Sequence, residues 1–391
     1  MSNNDGCAIA RSEEAKAVGI EMGAPEYLIR DLINTNNVAV FSSNYTLYGD
    51  MSERVMKLLA SFVPRLELYS IDEAFLDMHD LPYTNLLELG MNIRNTVQHF
   101  TGIPVTVGIA PTKTLAKLAN RFAKKKRRDV GVHWLANDEL IEEALKATAV
   151  GDVWGIGPQY AKMLKAKGFN TAYDVSKAPD DFILEQMTVV GHRLLNELKG
   201  TPSIEWEFER PRKKNICTSR SFGTLVETKE LMIEALTNYV SINAGKLRKD
   251  KSCAKSVHVF VQTNPYRTQD TQYSATITVQ LPVASNTTNE LIKYAKYGLD
   301  VIFKPGFKYL KCGVITMDIV PEEQIQYGMF DQVNRGRNKT VMNALDKVNR
   351  AFGKDTVRFA VQGYEKRYKL KAAYLSKRYT TNFDEILTIK I

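Results

Sequence analysis

The chain has 391 residues, is 44% hydrophobic and 25% charged, and its composition and length predict a soluble protein of two to four domains. No apolar run spans a bilayer, and the start Met1-Ser2-Asn3-Asn4-Asp5-Gly6 lacks the basic and apolar parts of a signal peptide, so a cytoplasmic protein without membrane contact is expected. The net charge of +9 sits in one tail, where from Arg335 to Arg378 thirteen Lys and Arg face three acidic residues.

In chain order, residues 1–48 read as a turn at Asn4-Asp5-Gly6, a short helix ending at Gly19, a helix after Pro25 and a strand Val38-Ala39-Val40-Phe41. A helix over 47–62 leads to Leu66-Glu67-Leu68, whose alternation predicts a half-buried strand, and Ala74-Phe75-Leu76-Asp77-Met78 reads as its partner. A helix over 83–100, a strand over 105–109, a helix over 113–126 and a strand over 130–135 continue the alternation of a split βαβ sheet. Within 113–126, Leu115, Leu118, Ala119 and Phe122 recur at helical spacing, while Lys113, Lys117, Arg121 and Lys124 make the other face basic. A helix over 137–147, the loop Val153 to Pro158, the basic amphipathic stretch Gln159 to Lys167, and Val189-Val190-Gly191 ahead of a helix His192 to Lys199 come next. Residues 200–214 have the composition of a linker. Beyond it, strand (215–222), helix (229–248), strands (255–263 and 273–281), helix (288–302) and strand (308–318) give the β-α-β-β-α-β order of a ferredoxin-like domain. The remaining residues are basic and irregular, with a helix predicted over 338–351.

Few residues announce chemistry by themselves. Asp72 and Glu73 fall at the turn between two predicted strands, where both can converge on one spot and suit Mg²⁺; from Asp-Glu alone, an exposed acidic turn is the simpler reading. Gly155-Ile156-Gly157 precedes a basic helix carrying Lys162 and Lys165, the kind of hairpin whose amides hold a phosphate oxygen, and Val189-Val190-Gly191 repeats the pattern. The run from Lys124 to Arg128 reads as a phosphate grip or, the simpler reading in isolation, as a solubilising run. The basic tail, with Phe359, Tyr364, Tyr368 and Tyr374 among its charges, suits a surface that lies along phosphates and stacks on bases, or a solvated face. Cys7, Cys217, Cys253 and Cys312 show neither Cys-x-x-Cys pairing nor a histidine at ligand spacing, which argues against zinc and disulfides and predicts buried, reduced thiols.

Taken in order, these segments resemble the UmuC branch of the Y-family translesion DNA polymerases nearly from end to end. The strings that carry the resemblance are Ser2-Asn3-Asn4-Asp5-Gly6-Cys7, Phe41-Ser42-Ser43-Asn44-Tyr45, Tyr69-Ser70-Ile71-Asp72-Glu73-Ala74-Phe75 and Val107-Gly108-Ile109-Ala110. Further on come the run Thr112 to Asn120, Asp152-Val153-Trp154-Gly155-Ile156-Gly157, Ser219-Arg220-Ser221-Phe222-Gly223, and Leu375-Ser376-Lys377-Arg378-Tyr379-Thr380-Thr381. The resemblance implies an α+β right-hand polymerase: fingers (1–48), ferredoxin-like palm (49–136), helix–hairpin–helix thumb (137–202), linker (203–214), ferredoxin-like little finger (215–320) and a C-terminal region (321–391). It implies Asp72 and Glu73 as ligands of two Mg²⁺ ions, Lys16, Lys124 and Arg11 as dNTP contacts, and Gly155, Ile156, Gly157, Lys162, Lys165 and Arg220 as DNA contacts. Gln326-Tyr327-Gly328-Met329-Phe330 is similar to the family's sliding-clamp peptide, with Gln326, Met329 and Phe330 as anchors. Primer–template DNA, damaged DNA included, a cleaved UmuD-like dimer and RecA are the implied partners.

The sequence departs from the family at two places. Glu13 stands where many relatives in other branches carry a tyrosine, and the chain begins after the family's opening palm strand, which supplies a third carboxylate and a ribonucleotide-excluding aromatic. Two readings follow: an error-prone translesion polymerase whose start is placed too late, or a catalytically inactive DNA-binding member of the family. A nucleotide cyclase on a similar palm would leave the Gly155-Ile156-Gly157 hairpin and the basic tail unexplained.

Overall fold

The fold is that of a computed structural model, which describes residues 1–79, 81–82, 85–126, 129–209, 211–326, 328–329, 331, 333–364 and 371–388, with the backbone alone at Asn3 and Lys126. The chain divides into two compact units, residues 1–43 with 212–376 and residues 44–211 with 377–391.

In the first unit, residues 1–43 carry α1 (Glu13–Ala17), capped by the Ser12 hydroxyl accepting from the Ala15 amide, and α2 (Glu26–Thr35). Their buried core is Ala8, Ile20 and Ile29, too little apolar surface to hold the segment by itself. A polar clasp does the rest. Buried Asp5 accepts from Ser42 Oγ at 2.7 Å and from the Ala373 amide at 2.9 Å. The Asn4 side chain accepts from the Lys371 amide at 3.0 Å and donates to the Ser221 carbonyl at 2.9 Å. Ser42 and Tyr374 exchange two further bonds of 3.0 Å, and Ser42 bridges Leu375. Asn4 and Asp5 sit at φ 63° and 52°, a left-handed turn that these two residue types tolerate. The strand expected at 38–41 does not form, because apart from that single bridge at Ser42 its apolar residues have no neighbouring strand to pair with among the described residues.

The second unit opens with α3 (Tyr45–Ala60), the hairpin β1 (Leu66–Leu68) and β2 (Ala74–Leu76), and α4 (Leu86–Thr101). Next is a βαβ unit in which β3 (Val107–Ile109) and β4 (Val132–Trp134) run parallel on either side of α5 (Lys113–Lys126). The expected single palm sheet is two two-stranded sheets, and among the described residues no strand joins them. A Cβ at Gly108 would lie 2.1 Å from the Asn120 nitrogen and 2.3 Å from the Ala116 carbonyl oxygen, so only glycine lets β3 run against the α5 backbone. The helices α6 (Asp138–Lys146), α7 (Pro158–Ala166), α8 (Ala172–Ser176) and α9 (Asp180–Leu198) share a core with α5 that includes Leu115, Leu135, Leu164, Ile183 and Leu195. The helix α9 breaks at Thr188, whose φ of 62° and ψ of −171° are disfavoured for a β-branched residue, so the stretch 189–198 starts a fresh helical segment.

The segment after α9 is not a free linker. Glu197, 1% exposed, accepts from the amides of Ser203 and Ile204 at 2.8 and 3.2 Å and from the Thr114 amide at 2.9 Å. Lys113 Nζ donates to the Glu205 carbonyl at 2.7 Å, and the Glu207 amide donates to Glu67 Oε2 at 2.9 Å. Trp206 and Phe208 stack at 5.3 Å, with Lys113 Nζ 4.6 Å from the Trp206 ring.

Back in the first unit, β5 (Ile216–Val226), α10 (Lys229–Lys249), β6 (Ser252–Thr263), β7 (Ser274–Ser285), α11 (Thr288–Ile302) and β8 (Tyr309–Pro321) follow the expected order of elements. Their sheet runs β5-β8-β6-β7, every neighbour antiparallel. The second and last strands are therefore central, whereas a ferredoxin-like sheet centres its first and third; each βαβ unit is still split by a strand of the other. The C-terminal α12 (Arg335–Ala351) is tied down by Arg248, which grips Asp346 at 2.6 and 2.7 Å, and by Arg335 on Asp331 and Glu290. Phe359 is half-buried and packs against the sheet's core; Tyr364 is exposed under the Arg358 guanidinium, and Tyr368 lies outside the described residues. Cys253 and Cys312 are buried as expected, and desolvation pushes the Cys253 thiol up to about 12. Cys217 is exposed and Cys7 half-buried, against expectation. Among the described residues no helix is long and apolar enough to cross a membrane.

Candidate active site and nucleic-acid interface

The β1–β2 hairpin closes through Tyr69-Ser70-Ile71-Asp72-Glu73. The amides of Tyr69 and Ser70 both donate to the Glu73 carbonyl, at 3.2 and 3.0 Å, and Ser52 Oγ donates to the Ile71 carbonyl from α3. Asp72 is exposed and accepts from Ser70 Oγ at 2.5 Å; Glu73 is half-buried, its Oε1 2.7 Å from Lys117 Nζ. Among the described residues no third His, Cys, Asp or Glu joins them. Two hard oxygen donors on an accessible turn, one already holding an ammonium, fit a divalent cation that completes its shell with water and phosphate oxygens.

The basic face of α5 is largely spent inside the unit. Lys113 pairs with buried Glu67 at 2.6 Å, Lys117 with Glu73 one turn later, and Arg121 with Asp152. Those three acidic groups come from β1, the acidic turn and the loop before α7, so one helix positions all three segments. Lys124, a turn further on, is exposed.

Trp154, in the loop before α7, donates its indole N–H to Tyr69 Oη at 3.0 Å, and its ring meets Tyr69 edge-on at 5.5 Å and Phe75 at 5.8 Å. This aromatic trio joins the hairpin loop to the acidic turn. Ile156 is buried and anchors that loop, leaving Gly155 and Gly157 exposed; Gly155 has φ +93°, which favours glycine. Gly157 precedes Pro158 at the first position of α7, an end whose free amides and dipole favour anions. Lys162 and Lys165 are exposed on α7, opposite buried Ala161 and Leu164. At the break in α9, Val189 and Val190 are exposed at the start of the second segment while Gly191 packs on Met187.

The other expected site residues lie in the first unit. Lys16 pairs with Glu13 at 2.6 Å on α1, and Arg11 Nη1 donates to the Ile20 carbonyl at 2.9 Å. Arg220 is exposed on β5 and donates to the Ser219 carbonyl. Gln326 and Met329 are exposed, while Tyr327 and Phe330 fall outside the described residues, as do Arg127 and Arg128. Sequence reasoning did not single out Tyr69, Lys117 or Trp154 for the site. The signal available was charge matching, because three cations at helical spacing on α5 face Glu67, Glu73 and Asp152 in segments of matching order.

This architecture is that of the Y-family DNA polymerases. A solved Y-family polymerase, the chimera Dbh-Dpo4(243-245)-Dbh, matches with a TM-score of 0.61 at 19% identity, over 81% of this chain and 89% of that one. The impB/mucB/samB family matches residues 1–121, its C-terminal domain residues 213–329, and a domain of unknown function residues 339–389. Protein UmuC of Salmonella typhimurium is 40% identical over 100% of this chain and 93% of its own length; Protein ImpB of the same organism is 38% identical over 99% and 92%. The chain belongs to the impB/mucB/samB family, the UmuC-like branch of the Y-family polymerases.

Proposed function

We propose that the chain carries out template-directed nucleotidyl transfer as an error-prone translesion DNA polymerase of an SOS-type damage response. Fingers, palm, thumb, little finger and C-terminal region follow the boundaries given above. The observation that carries the reading is the Tyr69–Glu73 turn, which presents two accessible carboxylates from a hairpin braced by α5, in a chain of this family. Asp72 and Glu73 would hold Mg²⁺, which when bound, as two ions, stabilises the charge that develops in phosphoryl transfer. Lys124, Lys16 and Arg11 are the proposed dNTP contacts. Gly155, Ile156, Gly157, Lys162, Lys165 and Arg220 are the proposed contacts to primer–template DNA, supported by exposed Gly155 and Gly157 ahead of α7 and by the exposed Lys162 and Lys165 along it. Family membership supports a cleaved UmuD-like dimer and RecA as activating partners, and exposed Gln326 and Met329 support a sliding-clamp contact.

Primer extension past an abasic site by the full chain is the test, with Asp72→Asn as control. Extension that falls by orders of magnitude in the variant is expected; extension unchanged by it overturns the proposal. A second reading, DNA binding without synthesis, is favoured by the absence of a third carboxylate among the described residues. Primer–template retained at low salt with no extension at any Mg²⁺ concentration would establish it.

A further inference from the structure

The acidic turn is held by a cation of the chain's own. Lys117 Nζ lies 2.7 Å from Glu73 Oε1, 4.9 Å from the Tyr69 ring centroid and 5.8 Å from that of Trp154. The Lys117 and Glu73 side chains are 20% and 40% exposed, so water and small ions reach the pair.

We propose that Lys117 is a positioning residue, the counter-cation that holds Glu73 against α5 and that a divalent cation displaces from Glu73 on binding at the Asp72-Glu73 turn. The inference rests on the reading of that turn as a cation site. Three features carry it. Lys117 stands on a fixed rail, since Leu115 and Ala119 beside it are fully buried and Lys113, one turn earlier, is locked in its own buried pair. Among the described residues Glu73 is the one hydrogen-bond acceptor of Lys117, and the Tyr69 and Trp154 rings lie beside its ammonium. An ammonium released from Glu73 therefore keeps a cation–π seat over Tyr69 and Trp154 and need not leave the site. Finally, Trp154 is hydrogen-bonded to Tyr69 and belongs to the loop that leads into α7, so the exchange at Glu73 changes the surroundings of the phosphate-facing hairpin.

Two consequences follow. Lys117 lowers the turn's affinity for cations, and cation binding is sensed at Trp154. Tb³⁺ is a suitable probe on the full chain, because it binds carboxylate oxygens and its luminescence is sensitised by a nearby indole. Sensitised emission that is weakened by Asp72→Asn and mostly lost in Trp154→Phe is expected. Lys117→Met tightens Tb³⁺ binding about tenfold by removing a positive charge next to the site, and Lys117→Arg restores wild-type affinity within about twofold by replacing that charge. Lys117→Gln gives the same reading should the methionine variant not fold. Tb³⁺ affinity unchanged in Lys117→Met and Lys117→Gln, while Asp72→Asn weakens it, overturns the role of Lys117 and leaves the cation site standing. No emission from the wild type, or emission indifferent to Asp72→Asn, removes the cation site and the inference with it.

Discussion

Two Lys–Glu pairs stand one helical turn apart on α5, alike in chemistry and unlike in surroundings. Lys113 and Glu67 are 6% and 9% exposed; Lys113 also donates to the Glu205 carbonyl, and Glu67 also accepts from the Glu207 amide. Lys117 and Glu73 are open to water and hold little else but each other and two ring faces. The first pair has no role for a ligand to take over, because it is buried and tied at both ends; it is a rivet between α5, β1 and the segment after α9. The second has the spare coordination and access that a binding site needs. Burial and saturation, not residue type, separate a structural charge pair from a functional one.

The comparison breaks most sharply at Lys113. Lys113→Ala leaves the Glu67 carboxylate buried and unpaired, and urea unfolding should show a loss of about 3–5 kcal/mol. The double variant Lys113→Met with Glu67→Leu removes both charges together and should recover most of that loss; a double variant as unstable as the single one would mean that the rivet acts through something other than charge compensation. Lys117→Met, by contrast, should change unfolding stability by no more than about 1 kcal/mol, as expected of a solvent-screened pair. A larger loss would make the second pair structural too.

The smallest effect is at a third pair, Arg378 and Glu385, whose side chains are 44% and 26% exposed. Glu385 is held down to about 2 by the Arg378 side chain first, then by the Arg378 amide and Asn382. Its folded-state value lies below the ordinary 4.5, so its stabilising contribution is complete above that pH and disappears as pH falls toward about 2. Amide exchange at 378–385 should accelerate across that acid window; exchange that stays flat there would show that the hook does not hold this segment.

Long periodic stretches were legible in the sequence. Both α5 and α11 occupy the predicted residues, because an apolar stripe of several turns fixes type and extent together. The five-residue α8 and the first half of α9 carry too short or too interrupted a pattern, and the Thr188 break has no glycine or proline to mark it. Strand order in the β5-β8-β6-β7 sheet was out of reach, since periodicity shows that a strand has a buried face and not which strand lies beside it. At 200–214, Pro, Gly and Lys residues suggest freedom and do not show that Ser203, Ile204, Glu205 and Glu207 are bonded to Glu197, Lys113 and Glu67. At the candidate site, the placement of Asp72 and Glu73 on a turn was readable; the Lys117 partner, 44 residues away, depends on how α5 packs and was not.

The clasp between Asn4, Asp5, Ser42 and residues 371–375 bears on the order in which the molecule is made. Residues 1–43 leave the ribosome well ahead of the groups that close them, which arrive more than three hundred residues later. At ~5–20 residues per second, that is an interval of roughly fifteen seconds to a minute. Throughout it Asp5 and Ser42 have only each other and water, over a core of three buried residues. A segment synthesised early is thus completed late, and premature termination ahead of Lys371 would show itself as proteolysis within residues 1–43.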